Sequence, residues 1–181
     1  PEVKESGSIV PTSSTTAQLA LGDALAISAM QYKKFGKFDF KKIHPAGNLG
    51  KQLKTVEDIM LTGNKIPFVS ENLNMQKALK ILSNKNLGTL IVQNKQKKTI
   101  GIITDGQVRR FNQKKLNIKL LTVNEIMTKN PVSIDKNALA AKALSIMNSK
   151  KITSLCVHDK KNKLKTIGII HIHTILETDI S

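Results

Sequence analysis

Apolar positions recur along this chain in an ordered series. Ala78, Leu79 and Leu82 in KALKIL, and Ala143, Leu144 and Met147 in KALSIM, fall at helical spacing, so each stretch predicts a helix with one buried stripe. A short apolar strand signal precedes each, at Pro67 to Val69 and at Val132 to Ile134. Two β-branched runs split by a polar Lys/Asn/Gln turn follow each helix, the pattern of a hairpin, and a last short helix closes each series. Upstream, AQLALGDALAISAMQ predicts a further helix that is apolar nearly all round from Gln18 to Gln31. Such a helix is expected to be covered by protein beyond these residues or by a second copy of the chain. Thr15 with Gln18 three residues on reads as a capping box at its start.

The two series are copies. TVEDIM at Thr55 to Met60 matches TVNEIM at Thr122 to Met127 at an offset of 67 residues, and KALKIL matches KALSIM at 65. NLGTLIV at Asn86 to Val92 matches KITSLCV at Lys151 to Val157 at 65, and TIGII at Thr99 recurs at Thr166 at 67. Four collinear blocks define a tandem repeat. A unit of about 60 residues cannot bury both faces of its own small sheet, which accounts for there being two.

Composition narrows the function classes. A hydrophobic fraction of 40% and a charged fraction of 23% belong to a folded globular protein, and no apolar run approaches a membrane span. The charge of +16 would suit a nucleic-acid binder, but only Arg109 and Arg110 among the 29 basic residues are arginine and aromatics are 3%. Base readout and stacking draw on arginine and aromatics, so specific nucleic-acid binding is not expected, although lysines can steer phosphorylated ligands. The single Cys156, in the apolar run SLCV, is expected to be a buried thiol, and the lack of a signal peptide with no disulfide possible within the chain points to the cytoplasm. The chain begins at Pro1 and reads as a fragment.

The order strand, helix, hairpin, helix, opened in both copies by an acidic-Ile-Met start, resembles the cystathionine-β-synthase (CBS) fold. The fold class implied is α/β (α+β), a tandem CBS pair of two β-α-β-β-α repeats at 55–115 and 121–181. Ahead of it, PTSSTTAQLALGDALA followed by HPAGNLG within KIHPAGNLGKQL resembles the arabinose 5-phosphate isomerases. In that family an N-terminal sugar-isomerase (SIS) domain interconverts ribulose 5-phosphate and arabinose 5-phosphate, in the route to the sugar acid of lipopolysaccharide. The resemblance makes residues 1–50 the last helix and exit loop of an SIS domain.

It also implies site residues. His44 corresponds to the family's loop histidine, an acid/base group near the sugar, and aldose–ketose exchange needs such a group to move a proton between C1 and C2. Ser13, Ser14, Thr15 and Thr16 form a hydroxyl-rich helix start suited to phosphate. Ala46 and Asn48 depart from the family's loop pattern, and the remaining SIS machinery would precede Pro1, so this chain alone is expected to be inactive. CBS modules that hold adenine nucleotides show a small residue, two hydrophobics, Thr or Ser, and an acid three positions later. The first copy has Thr104 with Gln107 at the acid position, with Arg109 and Arg110 following to meet a phosphate or carboxylate; the second has His171 and Thr174 instead. One weak nucleotide or nucleotide-sugar site, in the first copy, is therefore expected. His171 and His173 are expected to alternate on a strand and face opposite ways, which makes them poor ligands together; no metal and no cofactor are expected. The partners implied are a small sugar phosphate, a nucleotide-type effector and further copies of the chain, with no membrane. The reading of a different class is a stand-alone CBS regulatory protein without catalytic activity.

Overall fold

A computed structural model of the chain describes residues 11–44, 52–113 and 117–178. The chain divides into two units, Pro1–Gly50 and Lys51–Ser181.

In the first unit, α1 (Ser13–Tyr32) and α2 (Lys37–Ile43) are joined by a turn in which Lys34 takes a positive φ. The capping box expected at Thr15 and Gln18 does not form. The helix starts earlier, behind Thr12, which places Thr15 inside the first turn. There its hydroxyl donates back to the carbonyls of Pro11 and Thr12 at 2.9 and 3.0 Å, the local bond that Ser and Thr offer near a helix start. As its all-round apolar pattern predicts, α1 has no inward face within these residues: Leu19, Leu25 and Ile27 are exposed. The expected exit loop is partly helical, since Lys42 and Ile43 complete α2, at whose start Asp39 Oδ2 accepts from the Gly36 backbone N–H at 3.1 Å. Ala46, Gly47 and Asn48 lie outside the described residues.

The second unit contains α3 (Val56–Ile59), β1 (Leu61–Thr62), β2 (Phe68–Ser70), α4 (Met75–Lys85), β3 (Thr89–Gln93), β4 (Thr99–Thr104) and α5 (Asp105–Gln113). The second copy follows the same order with α6 (Val123–Ile126), β5 (Thr128–Lys129), β6 (Ser133–Asp135), α7 (Ala140–Lys150), β7 (Ser154–Asp159), β8 (Asn162–His171) and α8 (Ile172–Leu176). β2 runs parallel to β3, which forms the expected hairpin with β4; β6, β7 and β8 repeat this arrangement. The predicted stripes face inward, with Ala78, Leu82, Ala143 and Met147 buried.

Each copy lends its opening segment to the other. β5 completes the first copy's sheet beside β4, and β1 completes the second copy's sheet beside β8. Val56 is fully buried among Ile134, Ala140 and Leu155, while Val123 and Ile126 are buried among Val69, Met75 and Leu90. Burying one such side chain stabilises by about 1.5–3 kcal/mol, so the exchanged segments tie the copies together. Backbone bonds fix them: Val56 N–H donates to the Ala138 carbonyl at 2.8 Å, and Val123 N–H to the Leu73 carbonyl at 2.9 Å. Capping boxes at Thr55–Asp58 and Thr122–Glu125 start both short helices.

A third core of Ile66, Ile91, Cys156 and Ile169 joins the two sheets. Ile91 and Cys156 are the same position in the two copies. So are Thr99 and Thr166, whose hydroxyls bond at 2.8 Å, and Thr89 and Ser154, at 3.3 Å. A residue can meet its own counterpart only on a twofold axis, so a pseudo-twofold axis runs between these sheets. Cys156 is buried, as expected, and burial pushes its thiol up to about 11. Among the described residues no helix is long and apolar enough to cross a membrane.

Candidate functional site

A cleft of about 560 Å3 opens where β4 and β8 end beside the axis. Both copies line it. Gly88 and Thr104 come from the first copy and their counterparts Thr153 and His171 from the second, with Asn130 and Pro131 from the link between β5 and β6. This convergence follows from the fold, because antiparallel hairpins related by the axis bring both strand ends to one mouth. Asn130 takes φ of 52°, the conformation its counterpart Gly63 adopts at 60°. Asparagine tolerates that left-handed region better than most residues.

Thr104, Gln107, Arg109 and Arg110 all reach the cleft. Thr104 Oγ1 accepts from the Gln107 backbone N–H at 3.4 Å and keeps its own proton to donate. Arg109 and Arg110 are exposed along α5, and with Lys151 they outnumber the one carboxylate of the cleft, Asp105. The field therefore favours an anion. Gln107, at the acid position of the nucleotide pattern, is engaged within the protein. It is buried, its Oε1 accepts from Thr104 N–H at 3.1 Å, and its Nε2 donates to the Ile126 carbonyl at 3.2 Å and to Thr128 Oγ1 at 2.7 Å. With both amide protons engaged, it braces the exchanged strand β5 against the end of β4. A carboxylate here could not have made the two donor bonds.

His171 and His173 also depart from expectation. The strand stops at His171, and α8 begins at the next residue, so the rings do not point apart; their centroids lie 5.0 Å from each other. The His173 backbone N–H donates to His171 Nδ1 at 3.3 Å, making His171 the cap of α8. Sequence reading missed this because the apolar alternation of TIGII runs on unbroken into the helix. Among the described residues no cluster of three or more metal-ligating side chains exists.

The residues expected to serve sugar chemistry lie in the first unit. His44 ends α2, exposed, with its ring 4.8 Å from that of Phe40. Ser13, Ser14, Thr15 and Thr16 form the first turn of α1, where Thr16 Oγ1 donates to the Thr12 carbonyl at 3.0 Å.

The family model described as CBS domain matches residues 56–114 and 123–180. Arabinose 5-phosphate isomerase KdsD of Francisella tularensis is 41% identical over 174 residues, which cover 95% of this chain and 52% of that protein. The KdsD of Escherichia coli K12 is 36% identical over 173 residues, 95% of this chain and 52% of that one. The chain thus spans about half the length of the curated relatives it matches. Among solved structures, CBSX2 in complex with AMP matches 70% of this chain and 96% of its own at a TM-score of 0.61 and 22% identity. The CBS domain pair of protein MJ0100, in complex with 5′-methylthioadenosine and S-adenosyl-L-methionine, matches 69% and 94% at 0.60 and 24%. The exchanged, axis-related repeats and the matches along both of them lead to one conclusion: this chain belongs to the CBS-domain family and carries two copies of the domain.

Proposed function

We propose that this chain is the ligand-sensing part of a cytoplasmic sugar-phosphate isomerase that converts ribulose 5-phosphate to arabinose 5-phosphate, and that its CBS pair holds an anionic adenine nucleotide or nucleotide sugar. The observation that carries the effector reading is the cleft itself, where the Thr104 hydroxyl stands with Arg109 and Arg110 at an opening large enough for a nucleotide. The adenosine compounds bound by CBSX2 and MJ0100 support it. Thr104 donates to phosphate, the arginines neutralise it, and Gln107 keeps Thr104 in place. Binding of AMP to the 181-residue chain, followed by calorimetry, tests this: one site is expected, weakened at least several-fold by Arg109→Ala. Two tight sites, or none, would refute it.

The isomerase reading rests on the KdsD relatives. His44 would move the proton between C1 and C2, and Ser13 to Thr16 would face the sugar phosphate. In the protein carrying a complete SIS domain, His44→Ala should lower turnover of ribulose 5-phosphate by roughly 100-fold or more without lowering the melting temperature. Near-normal turnover would remove His44 from the mechanism. The exposed apolar surface of α1 supports assembly into oligomers, which sedimentation would detect. A stand-alone sensor is the second reading, favoured because CBSX2 is covered over 96% of its length by this fold. Absence of any isomerase activity in the intact protein would select it.

A further inference from the structure

His171 holds in the second copy the place that Thr104 holds in the first, and both open onto the same cleft. Its Nδ1 accepts the His173 backbone N–H. A nitrogen that accepts carries no proton, so the neutral ring keeps its proton on Nε2. The cap also fixes the ring, since turning it would cost α8 its bonded start. Partial burial first, and the neighbouring His173 second, hold the ring below the usual histidine range, so it is uncharged at neutral pH. The other charged and titratable groups around it are Asp105, Arg109 and Arg110 on α5, Lys151 ahead of β7, and His173 on α8. Cations predominate, which leaves a charged imidazole poorly compensated while the cleft is free of anions.

A phosphate in this cleft reverses that balance. It supplies the negative charge that the ring lacks, and a doubly protonated imidazole is then favoured over a neutral one. Arginine and lysine stay charged throughout the neutral range, so they cannot supply this response.

We propose that His171 is a proton-coupled contact for the anionic group of the cleft's ligand, donating from Nε2 and taking up one further proton from solvent at Nδ1 as the ligand binds. The proposal rests on the nucleotide reading above. It makes affinity rise as pH falls from the slightly alkaline range toward the point at which the free ring also protonates. It also couples the ligand to α8, because a protonated Nδ1 no longer accepts from His173.

AMP is the probe, titrated calorimetrically into the 181-residue chain in two buffers of different ionisation heat. The AMP phosphate itself titrates near pH 6, so the informative quantity is the difference between wild type and His171→Gln. Near pH 7 the wild type is expected to take up roughly half a proton more per AMP bound than the variant, and to gain about 3-fold more affinity on going to pH 6. Nitrogen-15 NMR of the His171 ring, which needs no variant, should show the Nε2–H tautomer without AMP and a raised pKa with it. Equal proton uptake in both proteins, with AMP bound, would overturn this role and leave the nucleotide reading standing. An unchanged ring pKa with AMP bound would do the same. The same uptake difference with adenosine in place of AMP would also overturn it, because no anion is then present. Failure of AMP to bind either protein would overturn both readings.

Discussion

The side chain of Met127 lies over the Cα of Gly101 and fills the space that a side chain at that position would take. Met60 covers Gly168 in the same way on the other sheet. Each methionine caps the end of the short helix in an exchanged opening segment, just ahead of its edge strand, and each glycine sits in the long strand of the opposite copy. Two of the repeated blocks, the Ile-Met start and TIGII, are thus the two halves of one reciprocal contact, and each needs the other's composition.

Gly101→Ala should therefore destabilise the CBS unit by about 1–3 kcal/mol, because the added methyl overlaps the Met127 sulfur and crowds its Cβ and Cγ. Met127→Ala should be destabilising alone by loss of packing, yet the double variant should lose less than the sum of the two. Urea denaturation of the four proteins measures this coupling. Strict additivity would show that the contact carries no energy.

Asn130 in its left-handed conformation makes a second test. Asn130→Gly should be neutral or slightly stabilising, as its counterpart Gly63 already shows the same backbone. Asn130→Val should cost about 1–3 kcal/mol, since a β-branched residue is strained there. Thermal melting distinguishes the pair, and equal melting temperatures would contradict the backbone account.

Cys156 should resist thiol reagents. With its pKa pushed up to about 11, only about one molecule in a thousand carries the thiolate near pH 8, and the residue is 1% exposed. Labelling should follow unfolding of the unit, accelerating with urea in parallel with loss of structure. Rapid labelling in the absence of denaturant would show that the central core opens locally.

Stability should fall as pH drops from about 7.5 to about 5.5, and His171 should be responsible for part of the fall. Its folded-state pKa lies below the unfolded value, so the unfolded chain binds the proton first. The contribution is complete above the ordinary histidine pKa near 6.5 and is lost as pH falls from there through the lower folded-state pKa. Glu125 and Asp159, both held below the usual carboxylate range, add their losses only at more acidic pH. Denaturation midpoints should therefore slope less steeply across this window in His171→Gln than in wild type. Parallel slopes would place the proton elsewhere.

Local pattern was enough to specify most of the elements. The stripes of α4 and α7, both hairpins and the burial of Cys156 all follow from spacing and side-chain type, because these depend on neighbours a few residues apart. Thr104, Arg109 and Arg110 could be selected as a group for the same reason, lying within seven positions of one another. The end of β8 is not legible in the apolar period, because the His171 side chain caps α8 there, and α1 starts earlier than the Thr15–Gln18 spacing predicts. Gln107 could be recognised as a departure from an acidic position, but its bonds to Ile126 and Thr128 could not, since those partners reach it only through the exchanged segment.

The sequence by itself determined that there are two copies, what each is built from, and that Thr104, Arg109 and Arg110 stand together at the end of the first. Only the tertiary structure decided that the copies trade their opening segments, that Thr99 meets Thr166 on an axis, and that His171 joins Thr104 in one cleft. Those contacts span more than sixty residues of chain and have no period; they are selected by which packing buries Val56, Val123 and the two methionines at once.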